Sequence, residues 1–170
     1  MTPVAKSHRK SAVEKRDTAR EPYVKVLTES KSKAFPVGKM LIASPMAVQR
    51  IVERVPVGRV IVVSALRDAL AREFGAEYTC PITTGIFLRV AADAAEEERL
   101  AGATGTMPWW RVVRDDGGLM EKLPGGAVRQ AKALGAEGFT IERVHAVPKR
   151  ITDFGAAGWK PPLRKTVLAR

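Results

Sequence analysis

The chain of 170 residues carries 29 Lys and Arg against 18 Asp and Glu, a net charge of +11, with 45% apolar residues. That is one ordinary domain, or a domain with tails, with enough apolar content for a core and no run near the ~20 apolar residues of a membrane-spanning helix. One Cys excludes a disulfide framework and, with two His, excludes a Cys/His zinc site; no apolar secretory segment is visible, so the expectation is a cytoplasmic protein, nucleoid-associated if bacterial, without metal, cofactor or membrane partner.

In chain order, residues 22–43 read as extended, with Tyr23, Val24, Val26 and Leu27 as a short strand and Phe35-Pro36-Val37-Gly38 as a turn. Ser44-Pro45 gives a helix cap followed by proline in the first turn; Val48, Ile51, Val52 and Val55 recur at helical spacing until Pro56 stops them. Val60 to Val63 is a strand or a buried connector. Ser64 caps a second helix with Leu66, Leu70 and Phe74 inside, ended by Gly75. Thr83 or Thr84 caps a third helix running to about Leu100, with Ile86, Phe87, Val90 and Ala94 on its apolar face. Trp110, Val112 and Val113 suggest a short strand before the turn Asp115-Asp116-Gly117-Gly118, and Gly125-Gly126 opens a last helix carrying Val128 and Leu134. No internal repeat is present. The expected fold class is mainly α with short strands, and helices in this order are compatible both with helix-turn-helix geometry and with an ordinary small helical domain.

The charge is unevenly placed. Residues 1–40 and 143–170 each carry a net +6, while 41–142 carry −1. The expected organisation is therefore a basic, flexible N-terminal arm (1–40), a core domain (41–142) and a basic C-terminal tail (143–170). Basic ends point to a polyanion, most often nucleic acid; a solubilising tail is the plainer alternative. Trp159 and Phe154 suggest that part of the C-terminal tail packs back on the core, and the prolines of Trp159-Lys160-Pro161-Pro162-Leu163-Arg164-Lys165 keep that run from being helical.

Residues 108–138 carry a recognisable pattern: Pro108-Trp109-Trp110-Arg111-Val112-Val113, then Pro124-Gly125-Gly126, then Glu137-Gly138. With Val55-Pro56-Val57-Gly58-Arg59-Val60 upstream, it resembles the DNA-binding domain of the methylated-DNA–protein cysteine methyltransferase family over roughly residues 43–140. The resemblance implies a winged helix-turn-helix that binds double-stranded DNA through the minor groove and phosphates, and flips an alkylguanine into a pocket beside an acceptor cysteine. Here the acceptor position holds Trp109 and the neighbouring His position holds Trp110. An indole has no lone pair free for attack on an alkyl carbon and cannot serve as a general base, so an enzyme is not expected. The family's two nucleotide-handling tyrosines and its Asn-Pro are also replaced. Trp109 is similar to the acceptor-position Trp of the non-enzymatic alkyltransferase-like proteins, which bind alkylated guanine and hand it to repair; Trp110 departs from that branch, which keeps the His.

The resemblance places Arg89 near the arginine that the family inserts into the base stack, and makes the start of the third helix, Thr83 and Thr84, the segment nearest the groove. Arg111 is a further candidate DNA contact, with the alternative that it is structural, as the arginine it matches mainly is in the family. Trp109, Trp110 and Glu137 are the candidate pocket residues: the Trp pair is either core packing or a stacking surface for a base, and Glu137 either accepts from an indole N–H or caps backbone. Glu96, Glu97 and Glu98 would repel phosphates, so only the N-terminal part of the third helix is expected to dock. Cys80 could stand as a relocated acceptor or as a small buried side chain. The expected function is non-enzymatic DNA binding that senses alkylated or distorted DNA, with a possible repair-protein partner; the alternative is a protein-interaction or chromosome-associated scaffold with a filled pocket.

Overall fold

The computed structural model describes residues 9–152 and 154–162. Its elements are α1 (Ala12–Asp17), β1 (Tyr23–Leu27), β2 (Gly38–Ile42), α2 (Pro45–Val52), β3 (Ile61–Val62), α3 (Val63–Glu73), β4 (Tyr78–Thr79), α4 (Pro81–Leu100), β5 (Val112–Val113), α5 (Gly126–Ala136), β6 (Ile141–Val144), β7 (Val147–Ile151) and α6 (Phe154–Ala157). Where mainly helix with short strands was expected, the described residues form a mixed α/β architecture of six helices and short strands in three small sheets, ordered β1-β2-β4, β3-β5 and β6-β7.

The central helices form for local reasons. Ser44 Oγ accepts from the N–H of Ala47 at 3.1 Å and Pro45 fills the first turn of α2. The carboxylate of Asp115 accepts from the N–H of Ser64 at 2.9 Å, so the start of α3 is capped from a distant turn, and Ser64 lies inside the helix rather than capping it. Gly125 and Gly126 sit at φ 73° and 65°, and a Cβ on Gly125 would fall 2.5 Å from Arg129 Cδ, which is why two glycines open α5.

The principal core joins Val48, Ile51 and Val52 of α2, Leu66 and Leu70 of α3, and Leu88, Ala91, Ala92 and Ala95 of α4. The small side chains of α4 let its neighbours approach closely. A second cluster, with Val60, Val113, Leu119, Ala131, Leu134 and Ile151, lies under α5 and β7. A third holds Leu27, Met40 and Cys80.

Both expected boundaries cut through folded elements. The arm assigned to 1–40 contains α1, β1 and the start of β2. β1 pairs antiparallel with β2, and β2 pairs parallel with β4, which ties residues 23–42 to the helices. α1 carries a capping box between Ser11 and Glu14, and Arg16, 7% exposed, ion-pairs with Glu98 at 2.7 Å and donates to Gln49 at 3.1 Å. Hydrogen bonding to Glu98 and then Asp17 raises the Arg16 pKa further, against burial. Strand pairing and these distant carboxylates order this stretch, where a flexible arm was expected. The first part of the expected arm, with Lys6, lies outside the described residues.

The boundary at 142 falls inside β6, and the basic tail begins as a hairpin. Its loop places His145 and Ala146 at φ 48° and 64°, the left-handed pair that a two-residue hairpin turn requires. Trp159 returns to the core by an N–H···O bond of 2.7 Å to Val60, and the half-buried Phe154 packs on the second cluster. Leu163, Arg164 and Lys165 lie outside the described residues. Among the described residues no helix is long and apolar enough to cross a membrane, and no group of three or more His, Cys, Asp or Glu is placed to hold a metal.

Candidate nucleic-acid interface

The Trp109-Trp110-Arg111 segment is a single 3-10 turn leading into β5, not the start of the strand. The turn sends successive side chains in different directions, and the two indoles end in different environments. Trp109 is 1% exposed and belongs to the principal core. Its Nε1 donates to Glu96 Oε1 at 3.0 Å. Glu96 also receives Arg99, at 3.0 Å, and Arg129, so one carboxylate joins α4, α5 and the turn. Trp109 is thus a packed ring whose polar atom is already used.

Trp110 is half-buried, with its ring 5.9 Å from that of Trp109 and nearly perpendicular to it, at 83°. Its Nε1 donates to Glu137 Oε1 at 2.7 Å. Arg111 donates to the same carboxylate through Nε at 3.0 Å and Nη2 at 2.9 Å, and through Nη1 to the carbonyl of Val55 at 2.6 Å. Gly58 N–H donates to Glu137 Oε2 at 3.2 Å. Burial pushes the Glu137 carboxyl up, but the hydrogen bonds from Arg111, Trp110 and Gly58 outweigh it and hold it below the ordinary carboxylate range. Glu96 is held down in the same way: Arg99, Trp109 and Arg129 overcome its desolvation.

The helix residues do not fall as expected. α4 begins at Pro81, with Cys80 before it. Thr84 is fully buried and its hydroxyl donates to the carbonyl of Cys80 at 2.7 Å, so it cannot touch DNA. Thr83 is half-buried and leans on the same carbonyl at 3.5 Å. Ile86, expected inside, is 55% exposed, and Ile82 is 62% exposed. Arg89 is exposed and, among the described residues, makes an i,i+4 contact with Asp93 at 3.6 Å. The outward face of α4 is therefore Ile82, Gly85, Ile86 and Arg89, four residues of which sequence reasoning found one. The signal was present: Leu88, Ala91, Ala92 and Ala95 keep helical register with Thr84, and that alanine-rich face is the one that packs.

Cys80 is 5% exposed among Leu27, Met40 and their neighbours, behaves as a small apolar side chain, and is closed to an alkyl donor. The acidic run of α4 is turned inward: Glu96 takes Trp109 and two arginines, Glu97 caps α1 through the N–H groups of Ala12 (2.7 Å) and Val13 (3.3 Å), and Glu98 holds Arg16. Gln130, also unanticipated, is fully buried on α5; it donates to the carbonyls of Trp110 and Val112 at 3.1 and 2.6 Å and accepts from Met120 N–H at 2.6 Å, pinning the backbone of the Trp turn. On the solvent side of Trp110 lies a cleft of about 780 Å³, whose lining includes Glu53, Arg99, Thr104, Thr106, Trp110 and Arg111.

No protein-family model matches the chain, and no curated protein matches it. The fold is similar to that of solved structures from S. pombe. One is Atl1 in complex with damaged DNA containing O6-carboxymethylguanine, at 20% identity over 69% of this chain and 94% of that one, with a TM-score of 0.49. Another is S. pombe ATL in complex with DNA, at 22% identity over the same shares, with a TM-score of 0.44.

Proposed function

We propose that this chain is a non-enzymatic double-stranded-DNA-binding protein with a winged helix-turn-helix, α3 and α4 forming the helix pair and the β6–β7 hairpin the wing. The observation that carries this reading is how the charges are arranged. The carboxylates of Glu96, Glu97, Glu98 and Glu137 are spent on the chain's own caps, indoles and arginines, while Lys31, Lys33, Arg89, Arg143 and Lys149 are exposed. The acidic run of α4 that was expected to repel phosphates is paired within the fold, so it does not oppose these exposed cations. The outward face of α4 would lie in the groove, with Ile82 and Ile86 against sugars and base edges and Arg89 on phosphate or in the base stack. Alkyl transfer has no nucleophile in this arrangement, since Trp109 is shut in the core and Cys80 is buried.

The test is fluorescence anisotropy of the whole chain on a duplex of about 20 bp. Some six phosphate contacts predict an affinity that falls about a thousandfold between about 50 and about 200 mM salt. Binding that is insensitive to salt, or absent, overturns the reading; absence on every duplex favours the protein-interaction scaffold. Deleting residues 1–40 is not a usable control, because it removes α1, β1 and most of β2.

A second reading, recognition of an alkylated base, is favoured by the cleft beside Trp110. Its volume of about 780 Å³ is ample for a nucleobase, with an indole and two guanidinium groups along it. A duplex with one O6-alkylguanine bound at least about tenfold more tightly than its plain counterpart supports it; equal affinities remove it.

A further inference from the structure

The β1–β2 hairpin lies outside the stretch that resembles the methyltransferase family, and its loop is held, not loose. Lys31 N–H donates to the carbonyl of Phe35 at 3.1 Å and Phe35 N–H to that of Ser32 at 3.0 Å, which closes a tight turn. Phe35 packs against Leu27, Met40 and Cys80. Tyr78 Oη donates to the carbonyl of Pro36 at 2.7 Å. With β2 paired to β4, these contacts seat the loop against the junction of α3 and α4.

At that junction a cleft of about 330 Å³ is lined by Lys33, Arg67, Asp68, Tyr78 and Pro81 among others, two cations against one carboxylate. Pro81 is the first residue of α4. At 100° per residue, Pro81, Gly85, Arg89, Ile82 and Ile86 span about 140° of the helix surface, so the outward face of α4 runs straight into this cleft. The loop therefore brings Lys33 to one end of the face that carries Arg89 at the other, with exposed Lys31 beside it.

We infer that the β1–β2 hairpin is a second phosphate-gripping element, Lys31 and Lys33 holding the backbone of a DNA duplex whose groove lies against the outward face of α4. The inference rests on the DNA-binding reading above and adds a contact site to it. Charge complementarity selects the occupant: cations border an apolar helix face at both ends, as a polyanion with a groove between two phosphate rails requires. Lysine suits this place, because a flexible point charge follows a phosphate without needing a fixed fork geometry.

The test compares the full-length wild type, Lys31→Glu/Lys33→Glu and, as a control for net charge, Lys122→Glu/Lys132→Glu, on the same plain duplex of about 20 bp in a salt titration. Both lysine pairs are exposed, so equal thermal midpoints for the three proteins check that folding is unchanged. The expected result is an affinity about tenfold or more weaker for the hairpin variant, a log–log salt slope shallower by about two, and a smaller change for the control. Lys33→Ala alone should reduce the slope by about one. If the wild type binds and the hairpin variant matches it in affinity and slope, as it would if the hairpin faced an acidic protein surface, the inference falls and the DNA-binding reading stands. If the wild type fails to bind at about 50 mM salt, both fall.

Discussion

At the scale of single residues, two glutamates decide what the tryptophans can do. Glu137 holds Trp110, Arg111 and the N–H of Gly58 together at 11% side-chain exposure. Removing it leaves a guanidinium buried without its counter-charge, so Glu137→Ala should cost about 3–5 kcal/mol at neutral pH in chemical denaturation. The pH dependence follows from the direction of its shift. The folded carboxyl titrates below its unfolded value of about 4.3, so its contribution is fully present above that value and is lost as pH falls through the lower folded value. Stability measured from neutral pH downward should therefore fall through this acid window in the wild type, and Glu137→Gln, less stable at neutral pH, should show a shallower fall there. Equal slopes for the two proteins would show that Glu137 gains nothing from its partners. The residue types of this cluster were legible in the sequence, down to an indole N–H as a partner for Glu137. Glu96 was not: in a run of three glutamates nothing local separates the buried one from its neighbours, and only the approach of α5 and the Trp turn brings Arg129 and Trp109 onto it.

At the scale of elements, what could be read depended on whether an element carries its own start and stop. The starts of α2 at Ser44-Pro45 and of α5 at Gly125-Gly126 were found where they lie, whereas α2 ends at Val52, before the Val55 and Pro56 that were expected to close it. The β6–β7 hairpin was missed because its turn uses His145-Ala146 in the left-handed region, where a glycine or asparagine would have signalled it. The orientation of α4 was misjudged because isoleucine was given to the core and threonine to the cap; instead Thr84 satisfies its hydroxyl on the preceding turn and is buried at no polar cost. α1 looked like part of a charged tail because its anchors are distant carboxylates. That origin makes a prediction. Arg16→Ala removes the ion pair with Glu98 and the bond to Gln49, leaving Glu97 and the Ser11–Glu14 capping box on the helix start. Amide exchange within 12–17 should quicken by at least about tenfold, with global stability lower by about 1–3 kcal/mol. Unchanged exchange there would mean that apolar contact alone seats the helix.

At the scale of the whole molecule, the proposed function assigns stability and docking to different residues, and that separation can be measured. Arg89 is exposed, and its ion pair with Asp93, at 3.6 Å, is of a kind worth at most about 0.5 kcal/mol. Trp109 is a full ring in the core, bonded to Glu96, and truncating it to alanine removes both packing and a hydrogen bond. Arg89→Ala should therefore leave the denaturation midpoint nearly unchanged while weakening duplex binding about tenfold and lowering the salt slope by about one. Trp109→Ala should do the reverse: a loss of about 3–5 kcal/mol of stability, and, at a temperature where the variant remains folded, a salt slope equal to the wild type's. The slope is the discriminating quantity, because it reports phosphates engaged and not how firmly the core is packed. A Trp109 variant that stays folded but loses slope would place the indole in the interface; an Arg89 variant with full affinity and slope would move the docking face off α4.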